Sequence, residues 1–179
     1  ISYFKLKNFG GPAMASNTGI KHSKGNLIAF VDADDWWDKN KLEISIRQFD
    51  RETDIVFHNL KIRQKKSLFL RKKFLKSKNL SLPIFNDLII YGNTILNSSV
   101  VIRKNILIKA NGFSENKTMI AAEDYNLWLR VSLITDKIKF INKSLGYYYM
   151  QDSLSKTRDM SKPTRAAIEE FNNLLSNKQ

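Results

Sequence analysis

Three aspartates within four residues, Asp32, Asp34 and Asp35, close the run LIAFVDADDWW at residues 27–37, and a second acidic pair, Glu123-Asp124, opens the stretch EDYNLWLR. Carboxylates packed this closely suit a hard divalent cation, Mg2+ or Mn2+, which is commonly held by one or two carboxylates together with substrate phosphates. Crowding like charges at the rim of a core raises their pKa values and costs stability, and a bound cation would offset that cost. Plainer roles compete. Asp35 and Asp38 can cap a helix, and acids in a first turn complement the helix dipole, which would account for Glu123-Asp124 without any chemistry. Capping accounts for one or two of the three clustered aspartates, but not for all of them at one strand end.

The elements that must hold these acids follow from periodicity and punctuation. Leu27–Val31 is an apolar run of strand length, of the kind covered on both faces of a parallel sheet. Pro12 and Gly25 bracket a helix over residues 13–24, where Gly19 costs about 1 kcal/mol relative to alanine and points to close approach by a neighbour or ligand. Asp38 is placed to cap a helix whose Leu42, Ile46 and Phe49 share one face. Strands are predicted over 54–58, 99–103, 137–141 and 145–150, and helices over 85–91, 104–110 and 123–134. Asn111-Gly112 ends the second of these helices, and Pro163 opens an amphipathic C-terminal helix striped by Ile168, Phe171 and Leu175. Alternating strands and helices indicate an α/β domain over residues 1–155, with the helix in 156–179 appended. Ligands of such sheets bind beyond the carboxyl ends of the strands, where the DADD cluster lies.

Composition narrows the rest. The chain has 179 residues, 42% of them hydrophobic, and no stretch approaches the roughly 18 apolar residues that span a bilayer. No charged-then-apolar leader precedes the first helix, so the expectation is a cytoplasmic protein, either soluble or peripheral on the inner face of the plasma membrane. There is no cysteine, hence no thiolate nucleophile and no Cys-ligated zinc, and His22 and His58 are too few for a histidine metal site. The formal charge is +13, and residues 61–79 (KIRQKKSLFLRKKFLKSKN) hold nine Lys or Arg and no acid. Such a segment is either a solvated insertion or a contact for an anionic membrane or a partner protein. Nucleic acid is not an expected partner, because the basic run lies in no recognisable recognition fold.

NFGGPAMASNTGIKHSKGNLIAFVDADDWW, followed at a plausible separation by NSSVVIRKNILIKANGFSE and AAEDYNLWLR, resembles the family 2 glycosyltransferases of the GT-A fold over residues 7–155. The first block is similar to that family's helix with an A-R-N-x-G-type start and its strand ending in D-x-D-D. The others are similar to its acceptor-side strand, G-G-F-like turn and E-D-x-x-L-W-x-R helix. The resemblance implies an α/β fold of GT-A type, a mixed sheet flanked by helices, lacking an N-terminal strand-helix-strand on the order of 50 residues long, a minor part of one domain.

It also implies roles. Asn17, Gly19, Asp32 and Ala33 would lie at the donor, a UDP- or GDP-sugar, and Asp34 and Asp35 would hold Mn2+ or Mg2+ against its diphosphate. Asp124, with Glu123 beside it, would be the base that activates a hydroxyl of a glycan or lipid-linked acceptor, and the reaction would invert the anomeric centre. Trp128, Ser98 and Ser99 are the acceptor-side candidates, with core packing the alternative for Trp128 and plain strand residues the alternative for the serines. Trp36 and Trp37 are placed to wall the sugar site, one of them packing under the sheet. The chain departs from the family pattern at Ser16, where arginine is common, and at Tyr149 and Gln151, which stand near the usual Arg and His positions.

Overall fold

Ile55–Arg63 carries the apolar run that organises the sheet, because its first six residues are buried on both faces and it pairs with three other strands. The computed structural model describes residues 1–8, 10–63, 74–150 and 159–176. Six strands form one mixed sheet: β1 (Leu27–Ala29), β2 (Trp36–Trp37), β3 (Ile55–Arg63), β4 (Phe74–Leu75), β5 (Val101–Arg103) and β6 (Ile138–Tyr149). Their order is β1-β5-β3-β6-β2, with β4 also on β3. Strands β3 and β6 run parallel, while β1–β5, β3–β5 and β2–β6 are antiparallel. Helices α1 (Ala13–His22), α2 (Lys41–Ile46), α3 (Ile84–Tyr91), α4 (Lys104–Lys109), α5 (Glu123–Ser132), α6 (Ser161–Glu169) and α7 (Asn172–Ser176) complete the described elements.

Side chains alternate across β3 as the two-residue strand period requires. Ile55 and Phe57 join the larger core, with Phe30, Phe113, Trp128, Leu107 and Leu129, whereas Val56 faces a smaller cluster with Ile141, Leu145, Ile44 and Phe49. The C-terminal segment closes the larger core as two short helices, beginning at Ser161, rather than the single predicted one opened by Pro163: Phe171, in the turn between them, is buried with its ring 5.3 Å from that of Phe85, and Ile168 and Leu175 pack against the same core.

Three further expectations change. Strand β1 is shorter than the predicted 27–31, stands at the end of the sheet order, and pairs antiparallel with β5 rather than lying inside a parallel sheet. Val31 is 48% exposed, since pairing has already ended before the chain bends into the acidic loop. The expected strands 137–141 and 145–150 are one irregular strand, β6, whose register against β3 shifts between His58 and Asn59 and again between Asn59 and Lys61. The expected face of α2 points outward: Leu42 and Ile46 are 42% and 50% exposed, and Lys41 and Ser45 are buried instead. A six-residue helix is under two turns and cannot choose its own orientation. The segment is set by Asp38, whose N–H donates to the Leu145 carbonyl at 3.0 Å, whose carbonyl accepts the Lys41 N–H, and whose side chain pairs with Lys61 at 2.8 Å. Asn40, not Asp38, occupies the cap position. Of the basic segment 61–79, residues 64–73 lie outside the described residues.

Burial of Lys41 has a measurable consequence. Its Nζ lies 4.0 Å above the Trp37 ring and donates a long hydrogen bond of 3.4 Å to the Val100 carbonyl. Burial lowers its pKa from 10.5 to about 7. The folded chain therefore binds fewer protons than the unfolded one between about pH 7 and 10.5, and this group's contribution to stability rises with pH across that window. In the full chain, Lys41→Met is expected to raise stability at pH 7 by about 1 kcal/mol, net of the lost cation–π contact, with a gain that fades toward pH 10.5 in urea denaturation. A gain independent of pH would rule out the buried ammonium as its source.

Candidate functional site

The acidic loop leaves β1, turns at residues 32–35, where the Asp35 N–H donates to the Asp32 carbonyl at 3.0 Å, and enters β2. It is held from below by a 3-10 turn, Asn97–Ser99, that immediately precedes β5. The Ser98 hydroxyl accepts the Asp32 N–H at 3.0 Å, and the Ser98 carbonyl accepts the Trp37 indole N–H at 2.7 Å. The Asn97 side-chain amide donates to Asp32 Oδ1 at 2.8 Å. From the far strand, the Tyr149 N–H donates to Asp35 Oδ1 at 3.0 Å. Backbone and side-chain groups from the turn before β5 and from β6 thus fix one loop.

These donors work against burial. Desolvation raises the pKa of Asp32, the Asn97 amide partly opposes it, and the charge of Asp34 adds to it. Asp35 is pushed up to about 6, first by burial, with the Ser98 hydroxyl and the Tyr149 N–H opposing. Asp34 and Ala33 are exposed at the tip of the loop.

The second acidic pair begins α5 as expected. Glu123 is buried, and its pKa is raised by desolvation in spite of hydrogen bonds with backbone groups at residues 121–123. Ala121 sits at φ +78°, a left-handed conformation that alanine rarely adopts, and it begins the turn that wraps this carboxylate. Glu123 also borders a cleft of about 140 Å3 between Gly11–Met14 and the 114–117 loop. Asp124 is half-buried and its pKa is pushed up to about 7, first by burial and then by the charge of Glu123. Its Oδ2 accepts the Asn93 side-chain amide at 2.9 Å, and its Oδ1 accepts the Tyr125 N–H at 2.7 Å. The charge of Asp32 raises the pKa of both Glu123 and Asp124, so the two acidic groups share one electrostatic environment.

Other sequence candidates fall elsewhere. Trp128 is 0% exposed, with its ring among those of Phe30 and Phe113, and so presents no face on which an acceptor could rest. Ser98 and Ser99 are buried; the former serves the acidic loop, and the latter donates to the Leu96 carbonyl at 2.6 Å. Asn17 is spent on the chain itself: its amide donates to the Phe113 carbonyl and to Glu115, and its Oδ1 accepts the Phe113 N–H. Gly19 is exposed, and a Cβ there would meet nothing within 4 Å, so no neighbour explains it. Arg130, the arginine of the EDYNLWLR stretch, donates to the carbonyls of Ala110 and Gly112 and closes the exit of α4. Trp37 anchors the loop, while Trp36 stacks on Tyr147 with centroids 5.1 Å apart. Asn93 and Asn97 carry the acids directly, yet an asparagine in a loop has no signature that separates this use from an ordinary turn.

Among the described residues no three His, Cys, Asp or Glu side chains converge into a ready-made cage. The loop offers two carboxylates: the exposed Asp34, and Asp35, whose Oδ2 is buried without a hydrogen-bond partner. An orphaned carboxylate oxygen beside an open one fits a cation such as Mg2+ that keeps waters and substrate oxygens as its other ligands.

Comparison with known proteins agrees with this architecture. The sequence model of the family described as "Glycosyltransferase like family 2" matches residues 2–174. An uncharacterized glycosyltransferase of Rickettsia bellii is 33% identical over 139 residues, which are 74% of this chain and 18% of that protein. The Escherichia coli UDP-Glc:alpha-D-GlcNAc-diphosphoundecaprenol beta-1,3-glucosyltransferase WfgD is 29% identical over 152 residues, 83% of this chain and 55% of that enzyme. This chain therefore spans only part of the length of those relatives. The crystal structure of Staphylococcus aureus TarS 1–349 in complex with UDP-GlcNAc superposes with a TM-score of 0.60 at 22% identity, over 84% of this chain and 42% of that one. That likeness establishes the α/β fold as GT-A-like.

The clamp made by Asn17 is testable. Gly112 takes φ +62°, and a Cβ there would lie 2.6 Å from Asn17 Oδ1, so the two residues fit only as a pair. Asn17→Ala leaves the Phe113 N–H without its acceptor and is expected to cost about 1–3 kcal/mol in urea denaturation. A loss below about 0.5 kcal/mol, the usual size for an unengaged surface residue, would show that the clamp contributes nothing.

Proposed function

The chain belongs to glycosyltransferase-like family 2, and from that premise we propose that it moves a sugar from a nucleoside-diphosphate donor to an acceptor hydroxyl with inversion at the anomeric carbon. The observation that carries this reading is the pairing of two acidic groups with different environments: an exposed carboxylate beside an orphaned one in the 32–35 loop, and Asp124, electrostatically coupled to that loop through Asp32, with a pKa near neutrality. A base working near pH 7 needs a pKa close to that value.

Asp34 and Asp35 would hold Mg2+ or Mn2+, which when bound stabilises the negative charge that develops on the departing diphosphate. The remaining chemistry falls to the chain. Asp32, immobilised through its backbone N–H and its carboxylate, contacts the nucleoside part of the donor. Asp124 receives the proton of the acceptor hydroxyl as that oxygen forms its bond to the anomeric carbon. The bond from that carbon to the diphosphate oxygen breaks on the opposite face, and its electron pair leaves with the nucleoside diphosphate. Glu123, folded onto its own turn, keeps Asp124 basic through its charge rather than by touching the acceptor. A uridine donor is favoured by the substrates in the names of WfgD and of the TarS complex, and a lipid-linked acceptor by the name of WfgD.

Two measurements in the full chain test this. Asp34→Ala should weaken Mn2+-dependent donor binding by at least about tenfold in calorimetry, and undiminished binding would remove the metal assignment. Asp124 must be ionised to accept a proton, so kcat/KM should rise with pH through an apparent pKa near 7 and fall about tenfold per unit below it. Asp124→Asn should abolish turnover while leaving donor affinity intact, and full turnover in that variant would exclude Asp124 as the base.

A further inference from the structure

We propose that Asn93 is the positioning residue for Asp124: its side-chain amide holds the carboxylate in the ionised, correctly aimed state that accepts the proton. This rests on the reading of Asp124 as the base.

The geometry supports the assignment from both ends of the amide. Asn93 Nδ2 donates to Asp124 Oδ2 at 2.9 Å, and Asn93 Oδ1 accepts the Ile95 N–H at 3.2 Å. The second bond fixes which end of the amide faces which partner, so the donor points at Asp124. The loop that carries Asn93 is itself tied to α5. The Leu88 carbonyl at the end of α3 accepts both the Gly92 N–H at 2.9 Å and the Tyr125 hydroxyl at 2.8 Å. Gly92, at φ +76°, then turns the chain so that Asn93 arrives over the first turn of α5.

The electrostatics leave Asn93 a distinct task. The charges acting on Asp124 are those of Glu123 and Asp32, both of which oppose its ionisation, as burial does. What favours the carboxylate is the Tyr125 N–H, which comes with the helix, and the Asn93 amide. Asn93 is therefore the side chain that offsets two acids and desolvation, and its bond leaves a lone pair on each Asp124 oxygen for the incoming hydroxyl.

The test uses the full chain, with nucleoside-diphosphate release followed from about pH 5.5 to 9. Asn93→Asp keeps an acceptor for the Ile95 N–H, and so preserves the loop, while it replaces the donor with a like charge. It should move the acidic limb of kcat/KM upward by about one pH unit and lower kcat at pH 7 by about fivefold, with the donor KM within twofold of the parent. Asn93→Ala should move the limb in the same direction by less. If Asp124→Asn is inactive yet both Asn93 variants keep the parental limb and kcat, the positioning role is wrong and the base assignment stands. If Asp124→Asn remains fully active, the base assignment itself fails. A uniform loss of activity with an unmoved limb would mark Asn93 as merely structural and overturn the proposal.

Discussion

Burial of carboxylates at the rim of a hydrophobic core, with their mutual repulsion added, is the constraint around which the acidic site is arranged. Asp32, Asp35, Glu123 and Asp124 all have pKa values raised chiefly by burial, and the charges of neighbouring acids add to the shift. Water would relax such a cluster at once if the loop were free to swing outward. It is not free, because the Tyr149 N–H, Ser98, Asn97 and Asn93 each hold one of the acids. None of these groups is a cation. The scaffold orders the acids without neutralising them, which preserves their appetite for a positive ligand or a proton.

The division of labour between strands and helices follows. The turn before β5 supplies the hydrogen-bond partners beneath the loop, β6 supplies a donor from the other side, and the start of α5 brings in the second acidic pair. Trp128, Phe30 and Phe113 fill the space behind, so that α5 is seated by apolar contact as well as by the polar groups at its first turn. Arg130 and Asn17 do comparable work on the 110–115 segment, satisfying the carbonyls and amides of a turn that runs through left-handed Asn111 and Gly112. Residues that stand out in the sequence as motif members thus divide into those facing the acidic site and those that hold the backbone around it.

That division marks how far the sequence could be read. The α/β class, the helix opening at Glu123 and the Asn111-Gly112 exit follow from periodicity and punctuation, and the structure contains them; the strand before the acids is present but stops at Ala29. The face of α2 is not legible from its stripe: Phe49, past the helix end, does pack, but Leu42 and Ile46 face outward, because tertiary contacts of Asp38 and Trp37 set the orientation and bury Lys41 instead. The fusion of the last two strands was missed because Asn142-Lys143-Ser144 looks like a turn, whereas pairing with β3 carries the chain through it with a change of register. Within the site, carboxylates are legible because charge clustering is unusual. Asn93, Asn97 and Ser98 are not, since nothing local distinguishes a small polar residue that restrains an acid from one that faces water.

The irregular pairing of β6 with β3 has a consequence for how the chain can vary. Between the partners His58–Ile141 and Lys61–Tyr147, three residues of β3 are spanned by six of β6. The surplus of three is odd, so the parity of the pairing reverses along β6, and beyond it the strand carries the Tyr149 amide to Asp35. The interval between packed interior and acidic rim is in effect metered by residue count. Exchanges of side chain at 142–144 leave the meter unchanged, whereas inserting or removing a single residue there would present the wrong edge of the strand to the acids.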